Sequence, residues 1–488
     1  MRNIDNIGGH PSDQLYANMV KTVRNKMRKY KYSSVLELLL RYLNSPISSE
    51  GNIEQLQKLP WVAEKLTLWL LADNSIFYHH KQLADEKVVK ELIRFAWNSA
   101  DSLYVKSLQS NSIKLFVRAA MLPQMPYQTG LDNHAFLLQV FILSKIKTNS
   151  KLLRYLDASA GMPILQYFQL GMLCYSHTMT EMPWFNDNYI RNLMGFFPRE
   201  DVSVFFKSIS YDTAALHKVY QEREIKFDEW FQPVVLYKTP CIRHEGAIVS
   251  FGRPTLRRYF ENLIGDWLED ENGECLSQYN NLIADYVKFA FSRSKALFLD
   301  EAEIRKLTNL TTQVCDFLVE EDESYLLIEV KNKSLTKKIP ASLRSEPIVA
   351  RLKATVIKAK KQLDDTRNEC QKLLRLKDKV CYRLIVTKND LWLGDISSII
   401  QDYDDQFPIW LLSLSDLDRL VDLVANKVTT FSDFFNHLYQ NNSNPQTSVF
   451  SVSMLLDKSP YKTSTLPPHL QCEADKLFAS IKNKMQPF

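Results

Sequence analysis

At 488 residues and 56.8 kDa the chain is longer than one hydrophobic core usually grows, so two or more domains are expected. An apolar fraction of 45% and a charged fraction of 24% exclude a disordered or fibrous protein. The net charge of +5 is unevenly spread: from Lys331 to Lys361 ten Lys or Arg face the single acid Glu346, a local +9 that leaves the rest of the chain near −4. Such a stretch suits contact with a phosphate backbone. Taken alone it suits a solvated helix face with a lysine-rich loop equally well.

None of the 12 glycines falls into GxxxxGK(S/T) or GxGxxG, so a P-loop or Rossmann phosphate cradle is not expected. The seven cysteines (Cys174, Cys241, Cys275, Cys315, Cys370, Cys381 and Cys472) form no CxxC pair and no zinc spacing, which fits reduced thiols in a cytoplasmic protein. The start, MRNIDNIGGHPSDQLYANM, has no apolar core of signal-peptide length. The most apolar run, AFLLQVFIL, is about half of the roughly 20 residues that span a bilayer, so no membrane partner is expected.

In chain order, residues 13 to 224 read as helix after helix, with apolar positions three and four apart in SSVLELLLRYL, VAEKLTLWLLA, KVVKELIRFAW, SIKLFVRAAML and AFLLQVFILSKI. This gives an all-helical, solenoid-like domain over 1–230, suited to recognition or regulation. Within it Lys21, Arg24, Lys26, Arg28, Lys29 and Lys31 cluster in eleven positions, read first as an exposed amphipathic helix face. His79, His80 and His177 lack partners at metal-ligand spacing and read as surface or packing residues. The composition changes at Phe231, where β-branched runs, prolines and glycines open a second domain over 231–430. There two helices (PTLRRYFENLIGDWLED and SQYNNLIADYVKFAFSR) precede a hairpin, TQVCDFLVEEDESYLLIEVKNK, with its charged tip at Glu320 to Ser324. A long helix from Ile348 to Leu376, strands VCYRLIVTK and PIWLLSL, and a helix SDLDRLVDLV complete an alternating α/β pattern. Residues 431–488 read as a loosely held tail with a short helix.

The chemistry concentrates in the hairpin. Strand alternation turns Leu326, Ile328 and Val330 one way and Glu329 and Lys331 the other, while Asp316 interrupts the apolar run on the partner strand. A carboxylate in an apolar strand costs several kcal/mol unless it is paired or holds a metal. Two hard-oxygen groups and an ammonium at adjoining strand positions are what phosphodiester hydrolysis needs: Asp316 and Glu329, with the Val330 carbonyl, for Mg²⁺ or Mn²⁺, and Lys331 to orient and help ionise the attacking water. The plain alternative is a cross-strand ion pair on a solvated sheet face.

Asp316 followed by Glu329-Val330-Lys331, within an αββαβ order, resembles the D…(D/E)XK signature of the PD-(D/E)XK, or restriction-endonuclease-like, nuclease superfamily over roughly Pro254 to Val424. Asp316 follows Cys315 rather than proline, a departure shared by many members. The resemblance implies a catalytic glutamate on the preceding helix, where Glu261 stands with Glu269 and Asp285 as competitors, and a glutamine on the following helix, where Gln362 stands. The basic loop and helix, with Lys333, Lys337, Lys338, Arg351, Lys353, Lys358 and Lys360, would grip the nucleic acid.

The resemblance favours DNA as substrate. A nuclease joined to a helical sensor also resembles the layout of bacterial anti-phage defence proteins, in which the helical region receives a trigger or a protein partner. The alternatives are an RNase on the same fold, with tRNA as one candidate substrate, and a catalytically silent binding module. An RxxxxH-type RNase is disfavoured, since no Arg stands five residues before any of the nine histidines. Oligomeric state, a homo-oligomer included, stays open.

Overall fold

The computed structural model describes residues 11–45, 58–79, 82–108, 120–127, 134–178, 184–221, 225–232, 234–268, 273–310, 313–331, 356–390, 408–443, 452–463 and 465–485. The chain is an α+β protein, mostly helical with two small mixed sheets. Helices α1 (Pro11–Met27), α2 (Tyr32–Leu43), α3 (Pro60–Leu71), α4 (Glu86–Leu108), α5 (His134–Ser144), α6 (Lys151–Ala160), α7 (Ile164–His177), α8 (Asp187–Met194), α9 (Arg199–Ile209) and α10 (Thr213–Tyr220) fill the first part. The expectation of an all-helical region needs one correction. Two-residue strands β1 (Trp184–Phe185) and β2 (Ser210–Tyr211) join the hairpin of β3 (Cys241–His244) and β4 (Ala247–Ser250) in a sheet of order β1-β4-β3-β2. The hairpin turns at Glu245 and Gly246, both at positive φ, the backbone that a tight two-residue turn requires. Its two edges recruit the short strands, which are too brief to show any alternation in sequence.

The second sheet holds β5 (Leu297–Asp300), β6 (Phe317–Glu320), β7 (Ser324–Lys331), β8 (Val380–Thr387) and β9 (Ile409–Ser413) in that spatial order. β5–β6 and β6–β7 are antiparallel, β7–β8 and β8–β9 parallel. β5 was not among the expected strands. Its four residues are exposed to intermediate and show no alternation, as suits a short edge. The surrounding helices are α11 (Arg253–Leu268), α12 (Glu274–Ser294), α13 (Glu301–Thr308), α14 (Lys358–Cys370), α15 (Leu414–Ala425), α16 (Phe431–Ser443), α17 (Val452–Leu456) and α18 (Pro468–Met485). Asp300 and Glu303 form a capping box that converts the end of β5 directly into α13, and Ser413 and Asp416 do the same between β9 and α15.

Alternation along the strands splits the sheet's two faces. Leu326, Ile328, Tyr382, Leu384, Val386, Trp410 and Leu412 join a large core with α5 to α9, α11, α12 and α15. Tyr325, Leu327, Ile385, Ile409 and Leu411 face α14, through Ala359 and Leu363. A separate cluster unites α1 to α4 with the first sheet's hairpin. Thus α5 to α9 pack on the second sheet's helices. Gly171 of α7 meets Phe260 of α11 so closely that a Cβ would fall 2.4 Å from the ring.

Two further expectations change. The helix expected to reach Leu376 ends at Cys370, after which Leu373 and Leu376 close successive turns and Leu376 is buried; its expected start at Ile348 lies outside the described residues. The segment after Phe431 is no loose tail where it is described: Phe431, Phe434, Phe435, Leu438, Leu455, Leu456 and Leu470 are buried in the large core, and α18 spans 18 residues. No described helix is long and apolar enough to cross a membrane. The seven cysteines are free thiols, six of them buried.

Candidate active site

The antiparallel register Phe317↔Ile328 sets Asp316, one residue before β6, across from Glu329. The Val330 amide donates to Asp316 Oδ2 at 2.7 Å, fixing this carboxylate at the strand end. Glu329 and Lys331 lie on the face covered by α14, as their alternation with Ile328 and Val330 requires. Lys331 Nζ donates to Glu329 Oε1 and lies 3.5 Å from Gln362 Oε1, while Gln362 Nε2 donates to the Val314 carbonyl at 3.3 Å. The structure therefore brings Asp316, Glu329, Val330, Lys331 and Gln362 together from β6, β7 and α14.

The electrostatics of the cluster are unusual for a solvated ion pair. Glu329 is 1% exposed, and its Oε2 finds no hydrogen-bond partner among the described residues. Burial, reinforced by the Asp316 carboxylate and opposed by Lys331, pushes the Glu329 carboxyl up to about 7. Burial raises Asp316 too, against the Val330 amide and Lys331. Two crowded carboxylates, one with an unpartnered buried oxygen, are a hard-oxygen site short of positive charge. A divalent cation fits that deficit. Among the described residues no group of three or more His, Cys, Asp or Glu is placed to hold a metal. The protein's share would be two carboxylates and a backbone carbonyl, with water completing the shell, as Mg²⁺ sites commonly allow.

The other expected residues fall elsewhere. Glu261 lies on α11, which covers the opposite face of the sheet, 3.3 Å from the Arg257 guanidinium. Lys358 is exposed at the start of α14. Lys360 pairs with Asp364 at 2.5 Å, a carboxylate shared at the same distance with Arg383 of β8, which is 1% exposed. Lys333, Lys337, Lys338, Arg351 and Lys353 lie outside the described residues. In the N-terminal basic cluster, Arg24 donates to the Trp69 carbonyl and Arg28 pairs with Asp73 at 2.6 Å, while Lys21, Lys26, Lys29 and Lys31 are exposed. His177 stacks on Tyr189 at 4.1 Å between centroids, and His79 is exposed; His80 lies outside the described residues.

Sequence reasoning missed Glu301, whose carboxylate raises Asp316 further. The pairing Asp300↔Phe317 continues to place Glu301 beside Asp316 at the next strand end, a relation visible only once β5 is known to be a strand. It also missed Arg383, a charge inside the apolar run of β8, and Lys388, the residue just after that strand. No family model, no curated protein and no solved structure matches the chain, so what this cluster can do has to follow from its own geometry.

Proposed function

We propose that the protein is a metal-dependent nuclease that hydrolyses phosphodiester bonds in DNA, on a restriction-endonuclease-like αββαβ core. One observation carries the reading: Asp316, Glu329 and Lys331 converge at adjoining strand ends with a Glu329 oxygen buried and unpartnered. The element order supports it, since α11 and α12 precede the β6–β7 hairpin and α14 crosses to β8, which runs parallel to β7.

Asp316, Glu329 and the Val330 carbonyl would hold Mg²⁺ or Mn²⁺, which when bound supplies Lewis-acid polarisation and a more acidic water. Lys331 places an ammonium at the cluster's outer edge, where it orients a water and offsets phosphate charge. Gln362 accepts from that ammonium through its oxygen and is tied to Val314 through its nitrogen, so it fixes Lys331 in place. Lys358, exposed at the start of α14, would meet a phosphate.

Supercoiled plasmid and total RNA, offered side by side with Mg²⁺, Mn²⁺ or EDTA, test the proposal. Metal-dependent plasmid nicking that chelation abolishes is expected. Cleavage of RNA alone would replace DNA by RNA as substrate, and no cleavage of either would leave a binding module.

A further inference from the structure

The same end of the sheet carries a charge on its other face that the cluster does not use. Lys388 follows Thr387, the ladder partner of Lys331, and alternation turns it away from α14 towards α11 and α12. It is 6% exposed, and its Nζ makes no hydrogen bond among the described residues. The ammonium lies 5.4 Å from the Tyr279 ring centroid. Its charged neighbours are Glu261 and Asp266 of α11; burial pulls the ammonium down to about 8 against the pull of these two carboxylates. Gly265 makes room for it, since a Cβ there would fall 3.1 Å from Nζ.

Ion pairs that hold the fold elsewhere are direct, as in Arg28–Asp73 at 2.6 Å and Arg383–Asp364 at 2.5 Å. The docking of α11 on the end of β8 already has its own bond, from Asn389 Nδ2 to Asn262 Oδ1 at 2.8 Å. A desolvated lysine without a direct partner therefore costs stability, and such charges gather at functional sites.

We propose that Lys388 is a positioning residue of the candidate catalytic edge: its buried ammonium draws the Glu261 and Asp266 carboxylates of α11 towards the ends of β7 and β8, setting how that helix supports, from the opposite face, the strand ends that carry Asp316, Glu329 and Lys331. This role rests on the nuclease reading. On its own helix Glu261 also meets Arg257, 3.3 Å away.

Lys388→Met tests it, because methionine keeps most of the volume and removes the charge. The variant is expected to melt at or above the wild-type temperature, yet to lose about tenfold or more in kcat with KM for the nucleic acid unchanged. Adding Glu261→Gln should cost little more. Wild-type cleavage by Lys388→Met overturns the role, and so does a loss that merely tracks a lowered melting temperature or falls on KM alone. Should the wild type cut neither DNA nor RNA, the nuclease reading fails by itself, and amide exchange along residues 257–266 decides for Lys388. Faster exchange in Lys388→Met shows that the ammonium holds α11 in place. Unchanged exchange overturns the positioning role.

Discussion

Lys331→Ala and Asp316→Ala are each expected to lower the rate of plasmid nicking by at least about a hundredfold, the scale of losing one catalytic proton-transfer or charge-stabilising group. Both should leave the melting temperature nearly unchanged. The reason lies in the crowding of the cluster: burial raises both carboxyls, with Glu301 adding to the rise of Asp316 and Asp316 to that of Glu329. When Lys331 is removed, Glu329, already pushed to about 7, takes up a proton rather than standing as a bare buried charge. Removing Asp316 forfeits the bond from the Val330 amide but relieves Glu329 of its repelling neighbour. Nicking rates paired with circular-dichroism melts check both halves. Equal nicking by all three proteins would refute the assignment, and unfolding of either variant would make the residue structural.

Asp418→Ala is expected to have the opposite profile, a large loss of stability. Asp418 of α15 is fully buried and accepts from His134 Nε2 at 3.0 Å and from Arg293 Nη2, with His469 Nε2 3.5 Å away, so it ties together α5, α12, α15 and α18. Burial alone would raise its carboxyl, but His134 and Arg293 outweigh burial and hold it below the ordinary value. Removing one partner of a buried charge network strands the others, at a cost of about 3–5 kcal/mol. Urea unfolding followed by tryptophan fluorescence should show that loss. A change below about 1 kcal/mol, the scale of an exposed pair, would mean that the network is not shielded as its burial indicates.

The hairpin was legible because two apolar runs flank a charged tip, and because Asp316, Glu329 and Lys331 break those runs at positions that alternation places together. Gln362 was legible through the resemblance alone, since nothing in KAKKQLDD separates it from an exposed helix residue. What stayed hidden was non-local. VAEKLTLWLLA reads as a helix from its apolar spacing, and nothing local says that Glu64 and Lys65 are buried along with every other residue of α3. Glu64 is met by Thr255 at 2.7 Å and Arg258 at 3.5 Å, and Lys65 by the carbonyls of Glu229 and Gln232. These partners stand more than 160 positions away, beyond any local pattern. Edge strand β5 and the two-residue strands β1 and β2 escaped because they are too short, or too exposed, to alternate. Lys388 escaped because a lysine closing a strand looks like the point where the chain meets solvent.

The measurement that bears most directly on the central claim is the anomalous difference density of crystals soaked in Mn²⁺. A peak between the Asp316 and Glu329 carboxylates, absent from Glu329→Gln crystals soaked alike, is the predicted result. An ion bound only elsewhere, or none at the hairpin while Lys331 stays paired with Glu329, would contradict a hydrolytic metal site.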